Sequence, residues 1–147
     1  MIEENGISAS MIQHGDCAGE VLWLEQALSF WGGYDPRKGL VIDKHHPQYG
    51  ESLTNRIVLI PGTRGSGGGP AGIAESVRLG TSPKAFILPE NDTNLLVGVA
   101  VADKLYGKRV VVAQVAVEKF QLLGRCTHIE ISNGRIYGRM PTQEKLP

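Results

Sequence analysis

The sequence predicts a mixed α/β fold, with a β-rich, barrel-like half wrapped around a βαβαβ core. Three observations carry that expectation. Four β segments precede the first convincing helix, which excludes the strict βαβα alternation of a doubly wound sheet. After residue 56, strand-like and helix-like patterns alternate. Near the end, Asn133-Gly134 separates Thr127–Ser132 from Arg135–Tyr137, a strong signal for a type I′ hairpin.

The elements follow in order. Ser8–Gln13 and Gly19–Leu24 read as short strands divided by the turn cluster His14-Gly15-Asp16. Trp31-Gly32-Gly33-Tyr34-Asp35-Pro36 reads as a sharp loop, Leu40–Ile42 as a short strand, and His46–Gly50 as a break. Arg56–Ile60 is a β-branched run. Pro70–Leu79 is helical, with Pro70 in the first turn, an inward stripe of Ile73, Ala74 and Val77, and Gly80 as the stop. Glu75 and Arg78 share its solvent face. Ala85–Leu88 is a strand. Asn94–Tyr106 is a helix capped by Asp92 or Thr93 and ended by Gly107. Its apolar residues Leu95, Leu96, Val97, Val99, Ala100 and Val101 occupy most of the circumference, which predicts deep burial. Arg109–Val117 reads as β, in one or two pieces. Residues 1–140 are expected to form one domain, and 141–147 a loose tail.

Composition narrows the function. The chain has 147 residues, with 15 basic and 15 acidic side chains. That balance argues against a nucleic-acid or membrane surface. No apolar run reaches the length of a membrane span, and the first residues are unlike a signal peptide. Cys17 and Cys126 are the two cysteines, too few for a disulfide framework or for a four-thiolate iron–sulfur cluster, though one bridge remains open. A cytoplasmic setting is expected.

The segment Pro61–Gly72 concentrates the chemistry. Six of its twelve residues are glycine, and one Arg and one Ser stand among them. Glycine lets backbone amides crowd an anion, and a helix starting just afterwards adds free N–H groups and a positive dipole end. Gly67–Gly72 fits G-x-G-x-x-G with Glu90 beyond it, but six residues separate it from the strand, and the dinucleotide fingerprint needs its glycines hard against the strand end. A Walker loop fails because no Lys-Ser or Lys-Thr follows. A flexible connection and a site at which Ser66 acts beside an anion held by Arg64 both remain.

Two further segments draw notice. Ser29-Phe30-Trp31-Gly32-Gly33-Tyr34-Asp35-Pro36 is explained by core packing plus a turn, or by a site wall. In Asp43-Lys44-His45-His46-Pro47 the adjacent histidines point to opposite sides of an extended chain, which disfavours a joint metal site. Asp43 and His46 are candidates to share a face at the mouth of a site. A hydrolase elbow is broken, because Arg64 stands where G-x-S-x-G needs Ser.

Together these segments resemble the small, swivelling-domain component of the aconitase X family. The resemblance is carried by Leu28–Pro36, by Val41-Ile42-Asp43 with His46-Pro47, and by Arg64-Gly65-Ser66. Ser82–Leu88 and Gly98–Leu105 extend it, so that it covers Gly15 to Val112. It implies a swivelling β/β/α domain that serves as small subunit to a larger catalytic subunit carrying an iron–sulfur cluster. It also implies dehydration of a small hydroxy acid such as phosphomevalonate or cis-3-hydroxyproline, with an iron acting as Lewis acid on the departing hydroxyl. By similarity to the aconitase swivelling domain, Ser66 is the candidate base, acting as an alkoxide. Arg64, Gly65, Gly67, Gly68, Asp43, His46, Ser29, Trp31 and Gly33 are the candidate substrate-binding residues. No metal or cofactor is expected on this chain alone.

One departure stands out. Relatives continue after the matched Ser with further serines, whereas this chain has Gly67-Gly68-Gly69-Pro70. Binding there would fall to amides. A stand-alone domain repurposed as a metal-free isomerase or cyclase, working as a homo-oligomer, is therefore an alternative, and a non-catalytic binding module is another.

Overall fold

The computed structural model describes residues 5–65 and 67–141. Ser66 lies outside the described residues, as does the expected tail beyond Pro141. Along the described chain come β1 (Ile7–Ser8), β2 (Ser10–Gln13), β3 (Cys17–Trp23), β4 (Tyr34–Asp35), β5 (Leu40–Val41), β6 (Ile57–Leu59) and α1 (Gly69–Leu79). They are followed by β7 (Ala85–Leu88), α2 (Thr93–Tyr106), β8 (Val111–Gln114), α3 (Val117–Leu123), β9 (His128–Ser132) and β10 (Arg135–Arg139).

Eight of the strands make one sheet in the order β1-β10-β9-β3-β6-β7-β8-β2. Its two edge strands are neighbours in sequence, parted only by Ala9. The chain thus joins one edge to the other, and the sheet curls into a nearly closed barrel. β3 links two regimes: Cys17–Glu20 pairs antiparallel with β9, and Val21–Trp23 pairs parallel with β6. β6, β7 and β8 continue the parallel run. β4 and β5 form a separate two-stranded flap.

Both faces of the parallel strands are buried, as crossover helices require. Ile57, Leu59, Ala85, Ile87, Val111 and Ala113 point into the barrel, where they meet Ile129, Ile131 and Ile136 beneath Phe120 and Leu123 of α3. Val58, Ile60, Phe86, Leu88, Val110 and Val112 point outward, against Ile73 and Val77 of α1 and Leu95 and Val99 of α2. The two-residue period of a strand sorts one apolar run into two cores. Asn133 (φ 51°) and Gly134 (φ 77°) both take the left-handed region that a type I′ turn demands.

Several sequence expectations are corrected. Ser8–Gln13 is two strands, because Ala9 is where the chain crosses between sheet edges. Tyr34–Asp35, read as loop, pairs with Leu40–Val41. Arg109–Val117 is not β throughout: the strand stops at Gln114, and Val117 opens α3. The valine-rich run concealed that switch. α2 is not buried all round. Leu95, Gly98, Val99 and Ala102 face α1 and the sheet, but Val97 and Val101 are 44% and 39% exposed. A helix lying on a two-layer fold buries one stripe, whatever its other faces carry.

Ile131→Ala should cost about 2–5 kcal/mol, because Ile131 is fully buried inside the barrel. Val101→Ala should cost less than about 0.5 kcal/mol at its exposed position. Urea midpoints of the two variants check the contrast.

Candidate functional site

β3, β6 and β7 run parallel, so the segments leaving them emerge at one edge of the sheet. In open α/β sheets this carboxyl edge is where ligands bind, since only there do loops and helix starts converge. The three exits here are the run to Leu28–Trp31, the glycine loop from Pro61, and Pro89–Asp92.

The entry to the glycine loop is tied on two sides. Thr63 bridges Leu28 in parallel fashion, with Leu28 N–H donating to Gly62 O at 3.2 Å and Arg64 N–H to Leu28 O at 3.1 Å. On the other side, Asp92 accepts Thr63 N–H at 2.7 Å and the Thr63 hydroxyl at 2.8 Å. The same carboxylate caps α2 by accepting Leu95 N–H at 3.0 Å. Burial alone would raise the Asp92 pKa. The donors from Thr63, Leu95 and Asn94 outweigh that and hold the carboxyl below the usual carboxylate range. Past Arg64 the backbone enters the left-handed region at Gly65 (φ 101°), a conformation that costs glycine little.

Arg64 reaches across to the second candidate segment. Its Nη2 lies 3.0 Å from Asp43 Oδ2, with the two side chains 57% and 19% exposed. A pair this open is worth at most about 1 kcal/mol, so its contribution is mainly positional. Asp43 is itself seated, because Gly33 O accepts Ile42 N–H at 2.9 Å and Asp43 N–H at 3.3 Å. Its other oxygen accepts His45 N–H at 2.9 Å.

Asp43 and His46, expected to share a face, part company. His46 is turned inward at 3% exposure. Its Nδ1 accepts Gln48 N–H at 3.0 Å, so the proton sits on Nε2, which donates to Gln26 O at 3.0 Å. Both ring nitrogens are committed to bracing this loop against the end of β3. Ser29 is likewise engaged locally, its hydroxyl donating to Trp31 O at 2.7 Å. Trp31 is 70% exposed, yet its inner edge lies on the glycine loop: a Cβ on Gly68 would come within 2.9 Å of Trp31 Cγ.

α1 starts directly behind the loop. Its N-cap is Gly68, it takes no side-chain cap, and no acidic residue occupies its first turn. The first N–H groups of the helix and its positive dipole end therefore face the loop without an anion of the helix's own. Gly67, exposed, stands just before it. A cleft of about 430 Å³ opens alongside, between Phe30, Trp31, Tyr34 and Pro36 on one side and Gly72 and Glu75 of α1 on the other.

Among the described residues no group of three or more His, Cys, Asp and Glu is arranged around a common point. Cys17 and Cys126 are free, and burial raises both thiols, which disfavours the thiolate a metal needs. Among the described residues no helix is long and apolar enough to cross a membrane.

The sequence brought Arg64, Asp43, Ser29, Trp31, Gly33, Gly65 and Gly68 to attention, and the structure gathers these around the loop. It missed Asp92 as a tie, seeing only a helix cap. Replacing Asp92 by Asn should cost about 1–2 kcal/mol in urea unfolding. Because its native pKa is depressed, the carboxylate stabilises the fold above the ordinary carboxyl pKa, and this is lost as pH falls through the native value. The variant should therefore show a flatter loss of stability on the acid side.

Known proteins resemble this chain in sequence and fold. The model of the aconitase X swivel domain matches residues 6–138. Cis-3-hydroxy-L-proline dehydratase of Pseudomonas aeruginosa is 39% identical over 122 residues, covering 83% of this chain and 21% of that protein. The phosphomevalonate dehydratase small subunit of Methanopyrus kandleri is 42% identical over 84 residues, covering 57% of this chain and 62% of that subunit. The chain thus spans about a fifth of the first relative's length and about three fifths of the second's. The crystal structure of Thermococcus kodakaraensis aconitase X in its holo-form superposes with a TM-score of 0.76 at 26% identity, over 90% of this chain and 96% of that one. The match across residues 6–138, with the shared fold, makes the chain a member of the aconitase X swivel-domain family.

Proposed function

We propose that this chain is the small subunit of an aconitase X-type dehydratase, a hydro-lyase that removes water from a small hydroxy acid of the hydroxyproline or phosphomevalonate kind. A larger catalytic subunit, to which the family resemblance assigns the iron–sulfur cluster, completes the site. The observation that carries the reading is the Arg64–Asp43 pair, held at the carboxyl edge on a loop clamped by Asp92. The names of the relatives supply the reaction class.

The elimination is redox-neutral. A proton leaves the carbon beside the carboxylate, the C–O bond at the neighbouring carbon breaks, and water departs as the double bond forms. Ser66 is the proposed base. Its alkoxide would need its negative charge offset, and three features support that: the Arg64 guanidinium, the amides of the glycine loop, and the uncapped start of α1. Arg64 also suits a substrate carboxylate, which a guanidinium grips through two parallel hydrogen bonds. With Gly67-Gly68-Gly69-Pro70 after Ser66, backbone donors take the place of hydroxyls at this wall.

That same run of glycines favours the rival reading, a metal-free isomerase or cyclase acting alone. One preparation tests both. With the larger subunit co-purified, Ser66→Ala should lower turnover of cis-3-hydroxy-L-proline or phosphomevalonate by about 10²–10⁴-fold. Thermal midpoint and assembly should be unchanged. Near-normal turnover would remove Ser66 as the base. Turnover by this chain alone, insensitive to iron chelators, would favour the rival. Arg64→Lys should raise KM at least about tenfold, because an ammonium does not reproduce the planar fork.

A further inference from the structure

We propose that the cleft beside Trp31 is the socket in which the larger subunit anchors, taking an apolar side chain from a surface rimmed by acidic residues. The inference rests on the dehydratase reading above and locates its protein partner. Trp31 exposes 70% of its surface. A large aromatic left in water is costly unless something covers it, and tryptophan is prominent among residues that dominate binding energy. Phe30, Tyr34 and Pro36 give the cleft an apolar wall, and Ala71 and Gly72 leave its floor without bulk.

The occupant follows from three observations. First, the 122 residues that match in the Pseudomonas relative are 21% of its length. Most of that polypeptide therefore lies outside this fold and is available to cover one of its faces. Second, the cleft is continuous with the incomplete site: Trp31 forms its wall and also lies on Gly68 of the glycine loop. A body that completes the site from this edge must pass over the cleft. Third, the one charged residue that lines the cleft, Glu75, is neutralised by a neighbour, and further positive charge lies beside it. Glu75 is taken up by Arg78, with hydrogen bonds of 2.6 and 2.8 Å. Arg37 stands near enough to depress the Glu75 carboxyl further, after the Arg78 hydrogen bond and charge. Arg37 and Lys38 are exposed in the turn between β4 and β5, next to Pro36 of the cleft wall, and outnumber the Asp35 carboxylate that accepts Arg37 N–H there.

Another exposed apolar face, Val97, Val101 and Leu105 on α2, serves as the control. Leu105 lies at the end of that helix far from the carboxyl edge. The test is the dissociation constant between this chain and the aconitase X large subunit of the same organism, measured by sedimentation. Trp31→Ala should weaken assembly at least about tenfold with an unchanged thermal midpoint. Ala71→Arg, which fills the socket and deletes no existing contact, should do the same. Arg37→Glu with Lys38→Glu should weaken assembly, most strongly at low salt. Leu105→Ser should leave the constant unchanged. An unchanged constant in both Trp31→Ala and Ala71→Arg overturns the socket, as does a raised KM in those variants with assembly intact, which would make the cleft a substrate pocket. Loss of assembly in Leu105→Ser alone moves the partner to α2. Failure of the wild-type chain to assemble at all overturns both the socket and the small-subunit reading.

Discussion

The burial of β6, β7 and β8 on both faces is the constraint from which the rest of this structure follows. Their residues alternate between the barrel interior and the helix layer, and both destinations are apolar. A polar side chain on either face would need an internal partner, at a cost of several kcal/mol if none were found. Chemistry is thereby excluded from the strands and displaced to their ends. The parallel arrangement adds a direction: the carboxyl ends of β3, β6 and β7 coincide, so three loops share one edge.

Loops released at one edge still have to be held, and glycine makes that harder, since it carries the largest backbone entropy to be lost. Two carboxylates hold them. Asp92 spends both oxygens on fixed donors, one set from Thr63 and one from the start of α2, so the loop entry and the helix become one unit. Asp43 accepts His45 N–H with one oxygen and meets an exposed side chain, Arg64, with the other. The first is a structural tie. The second positions a cation without committing it. His46 belongs with the first kind, because both of its ring nitrogens are hydrogen-bonded to main-chain groups on either side of the loop it braces.

Features that depend on neighbours along the chain were legible in the sequence. Ala85–Leu88, the Asn133-Gly134 turn, the Gly80 and Gly107 stops and the Asp92 cap are each set by local backbone preferences, and the structure has them where the sequence places them. What failed depended on distant partners. The apolar residues around α2 could not reveal which stripe would meet α1. The valines from 110 to 117 favour a strand on propensity, yet Phe120 and Leu123 are needed to close the barrel, and α3 forms to deliver them. At the site, Asp92 and Thr63 are 29 residues apart and Asp43 and Arg64 are 21 apart. No periodicity signals pairs of that kind. Arg64 stands out by its place in the glycine loop and Asp43 by its place beside His46, and the family resemblance includes both, whereas Asp92, outside its short motifs, reads as a cap alone.

The weakness of the Arg64–Asp43 pair bears on the proposed chemistry. A guanidinium buried against a carboxylate would be costly to separate, and a substrate anion would have to overcome that cost. With Arg64 57% exposed, solvent already screens the pair, and the net energy at stake is at most about 1 kcal/mol. An incoming carboxylate that binds through two charge-assisted hydrogen bonds can displace or share that contact at little expense. Asp43 thus does for the cation what Asp92 does for the loop, but reversibly. The affinity this arrangement forgoes must come from elsewhere, and a glycine run without hydroxyls cannot provide it through side chains. Backbone amides are the source on this side, and under the proposed assembly the partner's surface would be the other, so that substrate selection would rest largely on the subunit proposed to cover Trp31.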